Sequence, residues 1–237
     1  MSRNSKALLV FFTLDYRFSI IVFWCIFLAS LIPIVIFSIS IDGTMMISSD
    51  MAIAVFCAVS GFLLIKETFP FSIRMGATRH EYVFNALLFS VLLAAFMSAL
   101  NLAVVQVLVW IIELSGWDNF SLIILAEFFT SNVSWYTQYS VEFMICFLLF
   151  LLGFFLSSVF HRFGMIGGGL TLAIIFVAIL VPDVHNALID LLIQTERLDG
   201  VLSVSFNNFG ILGMATTLSA LIWLMLRNAP ITPGVTR

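Results

Sequence analysis

Val141–Phe160 reads VEFMICFLLFLLGFFLSSVF, twenty residues of nearly unbroken apolar character. At about 1.5 Å of rise per helical residue, such a run matches the roughly 30 Å of hydrocarbon in a bilayer. A strand reading fails on two grounds. Apolar residues do not alternate with polar ones, and only a helix pairs every backbone N–H and C=O inside one lipid-facing segment. Five runs of the same kind accompany it: Phe18–Ile41, Met51–Ile65, Val83–Ile112, Met165–Val181 and Phe209–Leu226. The expected fold is therefore all-α, a polytopic membrane protein of six transmembrane helices. Of the 237 residues 62% are hydrophobic and 10% charged, against about 45–50% apolar and about 25% charged in an ordinary soluble domain. Mean hydropathy is +1.16. No hydrophilic segment is long enough for a soluble domain of typical size.

Charge placement sets the expected topology. Arg3, Lys6 and Arg17 precede the first run; Lys66, Arg74 and Arg79 lie between the second and third; Arg162 separates the fourth and fifth; Arg227 and Arg237 follow the last. Short basic loops stay in the cytoplasm, so both termini are expected inside, with only Arg197 on the far side. Asp42, Asp50, Asp118, Glu127, Asp183, Asp190, Glu196 and Asp199 then fall outside. Trp110, Trp117, Trp135, Tyr136 and Tyr139 form an outer aromatic belt, with Tyr16, Tyr82 and Trp223 near the inner interface. The first run follows basic residues as a signal peptide does. Its length and the lack of a small-x-small cleavage site point instead to a retained span.

Chemistry-bearing motifs are scarce. The span centres read as essentially free of ionisable residues, which argues against proton relays and intramembrane hydrolysis. His80, His161 and His185 fall in expected loops, and no His-Glu-x-x-His helix or Gly-x-Ser-x-Gly elbow occurs. Gly167-Gly168-Gly169 lacks the Lys-Ser or Lys-Thr of a phosphate loop and suits close helix contact. Cys25, Cys57 and Cys146 each sit in an apolar run, so neither a disulfide nor a metal site is expected. The third span carries Ser98, Asn101 and Gln106. Ser98 and Asn101 share a helix face, either as an interhelical hydrogen-bond seam or as part of a polar lining.

Three peripheral segments are richer. Residues 1–17 suit a helix lying in the inner interface, or a plain extension of the first span. In the 66–81 loop, KETFPFSIRMGATRHE, Pro70 can open a helix, Gly76 can close it, and Thr78-Arg79-His80-Glu81 has capping-box spacing. A short cytoplasmic helix is expected over Phe69–Met75. Its Phe69, Phe71, Ile73 and Met75 alternate with Ser72 and Arg74, a surface for a docking partner or for the membrane. Residues 182–208 place Val184, Leu188, Leu191 and Leu192 at helical spacing after Asp183, an expected N-cap, until Asp199-Gly200.

This order of parts resembles an ABC-2-type transporter permease. Met75-Gly-Ala-Thr-Arg-His-Glu-Tyr82 is similar to the Gly-x-x-Arg-x-x-aromatic segment opening the third span of bacterial members, and His161-Arg162-Phe163-Gly164 also resembles them. The resemblance implies one transmembrane permease domain over residues 1–237 in a bacterial cell membrane. It makes Phe69–Met75 a coupling helix, with Phe69, Phe71, Ile73, Arg74, Met75 and Arg79 binding a separate ABC ATPase. ATP and Mg would sit on that ATPase, and this chain would carry no cofactor and no catalytic residue. It further implies a second permease subunit, identical or related, and membrane lipid as partners, with no nucleic acid. A scarcity of buried charge suits an apolar or amphipathic cargo: lipid, peptide or antimicrobial compound. A scaffold or sensor that recruits another partner through the 66–81 loop is the competing class, and a secondary carrier a third.

Overall fold

The computed structural model describes residues 3–40, 45–115, 120–128, 134–198 and 201–229. Ile41, Asp42, Trp117, Asp118, Asp199, Gly200 and Arg237 lie outside that set. Among the described residues helices dominate, in the order α1 (Arg3–Ser40), α2 (Asp50–Arg74), α3 (Arg79–Ser115), α4 (Trp135–Leu180), α5 (Pro182–Leu192) and α6 (Asn208–Arg227). All but α5 are long and apolar enough to cross a membrane. Four short strands depart from the all-α expectation. β1 (Met45–Ile47) pairs in parallel with β2 (Phe120–Leu122), Met45 opposite Phe120. β3 (Ile193–Leu198) pairs antiparallel with β4 (Val201–Phe206), Ile193 opposite Phe206.

At 46 residues, α4 would measure about 70 Å as a straight rod, more than twice the hydrocarbon thickness. It is not straight. Gly164 has φ 72° and ψ −168°, a conformation essentially reserved for glycine. Beyond it the chain folds back far enough that the ring of Phe160 lies against Gly168, where an added Cβ would stand 2.3 Å from a ring carbon. In a straight helix those residues would be about 12 Å apart along the axis. The expected division between Val141–Phe160 and Met165–Val181 is thus a break at Gly164. Of the three adjacent glycines, Gly167 and Gly168 meet Phe163 and Phe160, whereas Gly169 has open space.

The bundle is organised around α2 and α4, its most extensively packed pair. A Cβ on Gly61 would come within 2.1 Å of the Phe150 carbonyl oxygen, and one on Gly153 within 2.0 Å of that of Ala58. Two glycines therefore let the backbones touch, the packing that drives helix association where burial from lipid gains little. Ile53, Cys57, Leu64, Ile65 and Phe69 on α2 pack in one core with Phe150, Leu151 and Phe154 on α4, and with Val83, Ala86, Leu93 and Met97 on α3. Facing outward instead are Phe18, Ile21 and Ile26 on α1, Met165, Ile166, Leu170 and Phe176 after Gly164, and Phe209 on α6. Such an apolar exterior around buried Asp50, Asn85, Asn101 and Glu142 suits lipid as the surrounding solvent.

Several boundaries differ from expectation. Of the 1–17 segment, the described residues 3–17 continue without a break into the first apolar run. α1 runs unbroken, and Phe12 and Tyr16 are core residues, Phe12 edge-on to Tyr82 at 5.7 Å and the Tyr16 hydroxyl donating to the Ser60 carbonyl at 2.7 Å. Membrane-surface placement would have forfeited both contacts. Phe69–Met75 is likewise the last part of α2, with Pro70 inside the helix. Within 182–208 the helix stops at Leu192 and a hairpin follows; its N-cap is Val181, and Pro182 and Asp183 both lie in the first turn.

Candidate functional site

The turn joining α2 to α3 defines one end of the bundle. Gly76, at φ 88°, closes α2 in a Schellman arrangement: its N–H donates to the Ile73 carbonyl at 3.0 Å and the Ala77 N–H to the Ser72 carbonyl at 3.1 Å. The capping box then opens α3. The Thr78 N–H donates to Glu81 Oε2 at 3.1 Å, and the Glu81 N–H donates back to Thr78 Oγ1 at 3.2 Å. Two basic side chains bind the last carbonyls of α6, where a helix dipole favours cations. Arg79 Nη1 donates to the Arg227 carbonyl at 2.7 Å. Arg162 Nη1 reaches those of Leu224 at 3.1 Å and Met225 at 3.4 Å.

The residues expected to bind a partner divide at this end. Phe71 is 47% exposed and Met75 70%. Arg74 is exposed and Ile73 half-buried. Phe71 stacks on Phe11 at 5.0 Å, which fixes its ring while leaving one side open. Phe69 does not belong with them. It is fully buried, with ring contacts to Tyr82 at 5.0 Å and His161 at 5.1 Å. Arg79 is turned toward α6, so it braces the surface from beneath. His161 is a buried residue of α4 rather than a loop histidine.

At the opposite end lies a polar cluster inside the bundle. Asp50, the first residue of α2, is buried rather than facing solvent. Its Oδ1 accepts from Asn101 Nδ2 on α3 at 2.7 Å, and its Oδ2 accepts from the Leu125 N–H at 2.7 Å. Leu125 opens the 3₁₀ turn Leu125–Phe128, so one carboxylate joins two helices to the loop that follows β2. From α4, Glu142 adjoins both Asn101 and Asp50, and Gln138 precedes it by four residues, one turn back on the same face. Both α4 side chains are 3% exposed. Among the described residues, Asn101 Oδ1, Gln138 Nε2 and both Glu142 oxygens have no hydrogen-bond partner. Deeper in, Cys146 neighbours Cys57 and Ser98, and Ser98 Oγ donates to the Ala94 carbonyl at 2.9 Å.

Of the expected polar lining, Ser98 and Asn101 face this cluster and exposed Gln106 does not. Glu142 and Asp50 are buried ionisable groups at this end of the bundle, outside the span centres; Asp50, expected in the outer solvent, is buried instead. The signal was present in the sequence: a glutamate second in an otherwise apolar run, with a glutamine four residues before it. Comparison of the chain with protein-family models, curated proteins and solved structures finds no match.

Proposed function

We propose that this chain is the membrane-spanning subunit of an ABC-2-type transporter, a six-crossing permease moving an apolar or amphipathic substrate outward. A separate cytoplasmic ATPase would drive it. The observation that carries this reading is the tip of α2: Phe71, Arg74 and Met75 stand exposed on a helix end closed by a Schellman turn and braced by Arg79. A partner pressing on that tip would act on α2 directly and on α3 through the short turn that joins Arg74 to Arg79. Arg74 offers a planar guanidinium for an acidic residue of the ATPase, and Phe71 and Met75 offer the apolar anchor. The permease does no chemistry. Its change of state would come from differential contacts with nucleotide-loaded and nucleotide-free partner. Gathering of Arg74, Arg79, Arg162 and Arg227 at one end supports a cytoplasmic location for it, with both termini inside a bacterial cell membrane. A second copy or related permease would complete the pathway.

Affinity purification of the tagged chain from its native membrane tests this. A Walker-bearing ATPase should accompany the wild type and be lost in Phe71→Asp and Arg74→Glu, with thermal stability unchanged because both residues are exposed. Purification without any ATPase, or retention of the ATPase by both variants, would sink the proposal.

A further inference from the structure

We propose that the end of α6 is a binding site for the headgroup phosphate of an anionic phospholipid, held by Arg79, Arg162 and Arg227. Guanidinium groups from three helices meet there. Arg79, at the start of α3, donates to the Arg227 carbonyl, and Arg162 of α4 donates to those of Leu224 and Met225. Leu224 and Arg227 are three residues apart, about 4.5 Å of rise and close to one turn, so both grips reach one side of the last turn of α6. The Arg227 side chain springs from that turn and lies over Trp223, its Cζ 5.3 Å from the ring centre. Arg79 and Arg162 bond these carbonyls through Nη1 alone. A guanidinium carries five N–H donors in a fixed fork. Nε and Nη2 of both therefore remain for an acceptor from outside the chain.

Charge decides the kind of acceptor. Among the described residues no carboxylate is bonded to any of the three arginines, and Glu81, the acid nearest Arg79 in sequence, places Oε2 on the Thr78 N–H and hydroxyl. Three positive charges exceed the roughly half negative charge of a helix C-terminus, so the occupant is an anion. A phosphate matches the guanidinium fork at two points. The surroundings decide for lipid. Phe163, Met165 and Ile166, just beyond Arg162, are exposed, as are Trp223 and Leu224 on α6. They continue into the outward-facing Leu170 and Phe176 of α4 and Leu221 of α6, so an acyl chain can lie along this surface while its phosphate meets the arginines. An indole beneath a cation is at home at the membrane–water boundary, and a basic pocket between helix ends is the arrangement that holds an anionic headgroup. A free phosphate would use the arginines and leave the apolar strip bare. The site requires neither the α2 tip nor an ATPase.

Native mass spectrometry tests this on the full chain, stripped of lipid in detergent and titrated with phosphatidylglycerol or with phosphatidylcholine of the same acyl chains. The wild type should bind a first phosphatidylglycerol about tenfold or more tightly than phosphatidylcholine, and Arg227→Gln should weaken phosphatidylglycerol about fivefold, one basic residue's share at an anionic surface, with phosphatidylcholine unchanged. Arg79→Gln with Arg162→Gln should abolish the preference. Arg17→Gln, which removes an exposed charge from α1, should leave it intact. Equal binding of the two lipids by the wild type, an undiminished preference in Arg227→Gln, or an equal loss in Arg17→Gln would overturn the proposal, the last by showing attraction to net charge instead of a site. So would displacement of the lipid by inorganic phosphate at equal concentration, which makes a free anion the occupant, or by a glutamate-rich peptide, which makes it an acidic protein segment. Should the double variant fail to fold, Arg227→Gln, altered at an exposed side chain, still decides, and Arg227→Lys, which keeps the charge, should retain most of the preference.

Discussion

Asp50 shows how much one side chain organises. Its carboxylate accepts from the Asn101 amide nitrogen on α3 and from the Leu125 N–H in the loop beyond β2. Asp50→Ala strands one buried donor and one half-buried donor, the buried one costing about 1–3 kcal/mol. Thermal unfolding in detergent should therefore show a large drop in midpoint. Asp50→Asn, which keeps one acceptor, should lose less. Adding Asn101→Ala to Asp50→Ala should cost less than the two single changes summed, since they share a bond. Phe69 and Phe71 make the same point for apolar side chains. Two residues apart in sequence and alike in chemistry, they end in the core and at the surface. Phe69→Ala is expected to cost about 3–5 kcal/mol and Phe71→Ala under about 1 kcal/mol, measured by the same unfolding. Sequence could not separate them, because which face of a helix is buried near its end depends on what packs there, and Tyr82 and His161 come from other helices. Glu142 was legible as an anomaly; only the fold brings Asn101 beside it.

The long helices were readable as elements, because continuous apolar runs admit no other structure in lipid. The Thr78–Glu81 capping box and the Gly76 stop were readable too, since they depend only on local chain geometry. Less visible was continuity. Pro70 reads as a helix start, yet α2 passes through it. Thr68 Oγ1 shares a hydrogen bond with the Tyr82 hydroxyl of α3 at 3.0 Å and Phe69 packs into the core, so tertiary contacts outweigh a proline cost of about 3 kcal/mol. The hairpin β3–β4 was missed by extending the helical spacing past Leu192, although Asp-Gly between two short alternating segments is itself a hairpin signal. Two glycines now make contrasting predictions at this scale. Gly76 has positive φ but open space around its Cβ position, so Gly76→Ala should cost about 1–2 kcal/mol of conformational strain and leave packing intact. A Cβ on Gly61 would stand 2.1 Å from the Phe150 carbonyl oxygen, so Gly61→Ala must push α2 and α4 apart. Its loss of stability should be larger and should be accompanied by faster amide exchange along both helices, which Gly76→Ala leaves unchanged.

For the molecule as a whole, the decisive element is the break at Gly164. If the two parts of α4 cross the bilayer separately, the chain passes six times and every basic tether falls on one side; if α4 crossed once, Asp183 and Arg162 could not face opposite solvents. The tethers give an internal check. Arg79 and Arg162 both grip the end of α6, which places the α2–α3 turn, the Gly164 turn and Arg227 at one end, with Asp50 and the 3₁₀ turn at the other. Six crossings then require that Met75, Phe163 and Asn228 share a compartment and that Ser134 and His185 share the opposite one. In a background with Cys25, Cys57 and Cys146 replaced by Ala, single cysteines at these five positions can be challenged with a membrane-impermeant thiol reagent in intact cells. Ser134→Cys and His185→Cys should label in intact cells; Met75→Cys, Phe163→Cys and Asn228→Cys should label only after permeabilisation. Labelling of Phe163→Cys together with His185→Cys, on whichever side, would make Gly164 a bend within one side of the membrane and reduce the crossings to fewer than six. Gly164→Leu should act on the same feature: at φ 72° a branched residue is strained by about 1–3 kcal/mol, and relief by straightening would carry α5, whose Leu191 carbonyl adjoins Gly210, away from the start of α6 and change the labelling of His185→Cys without altering that of Met75→Cys.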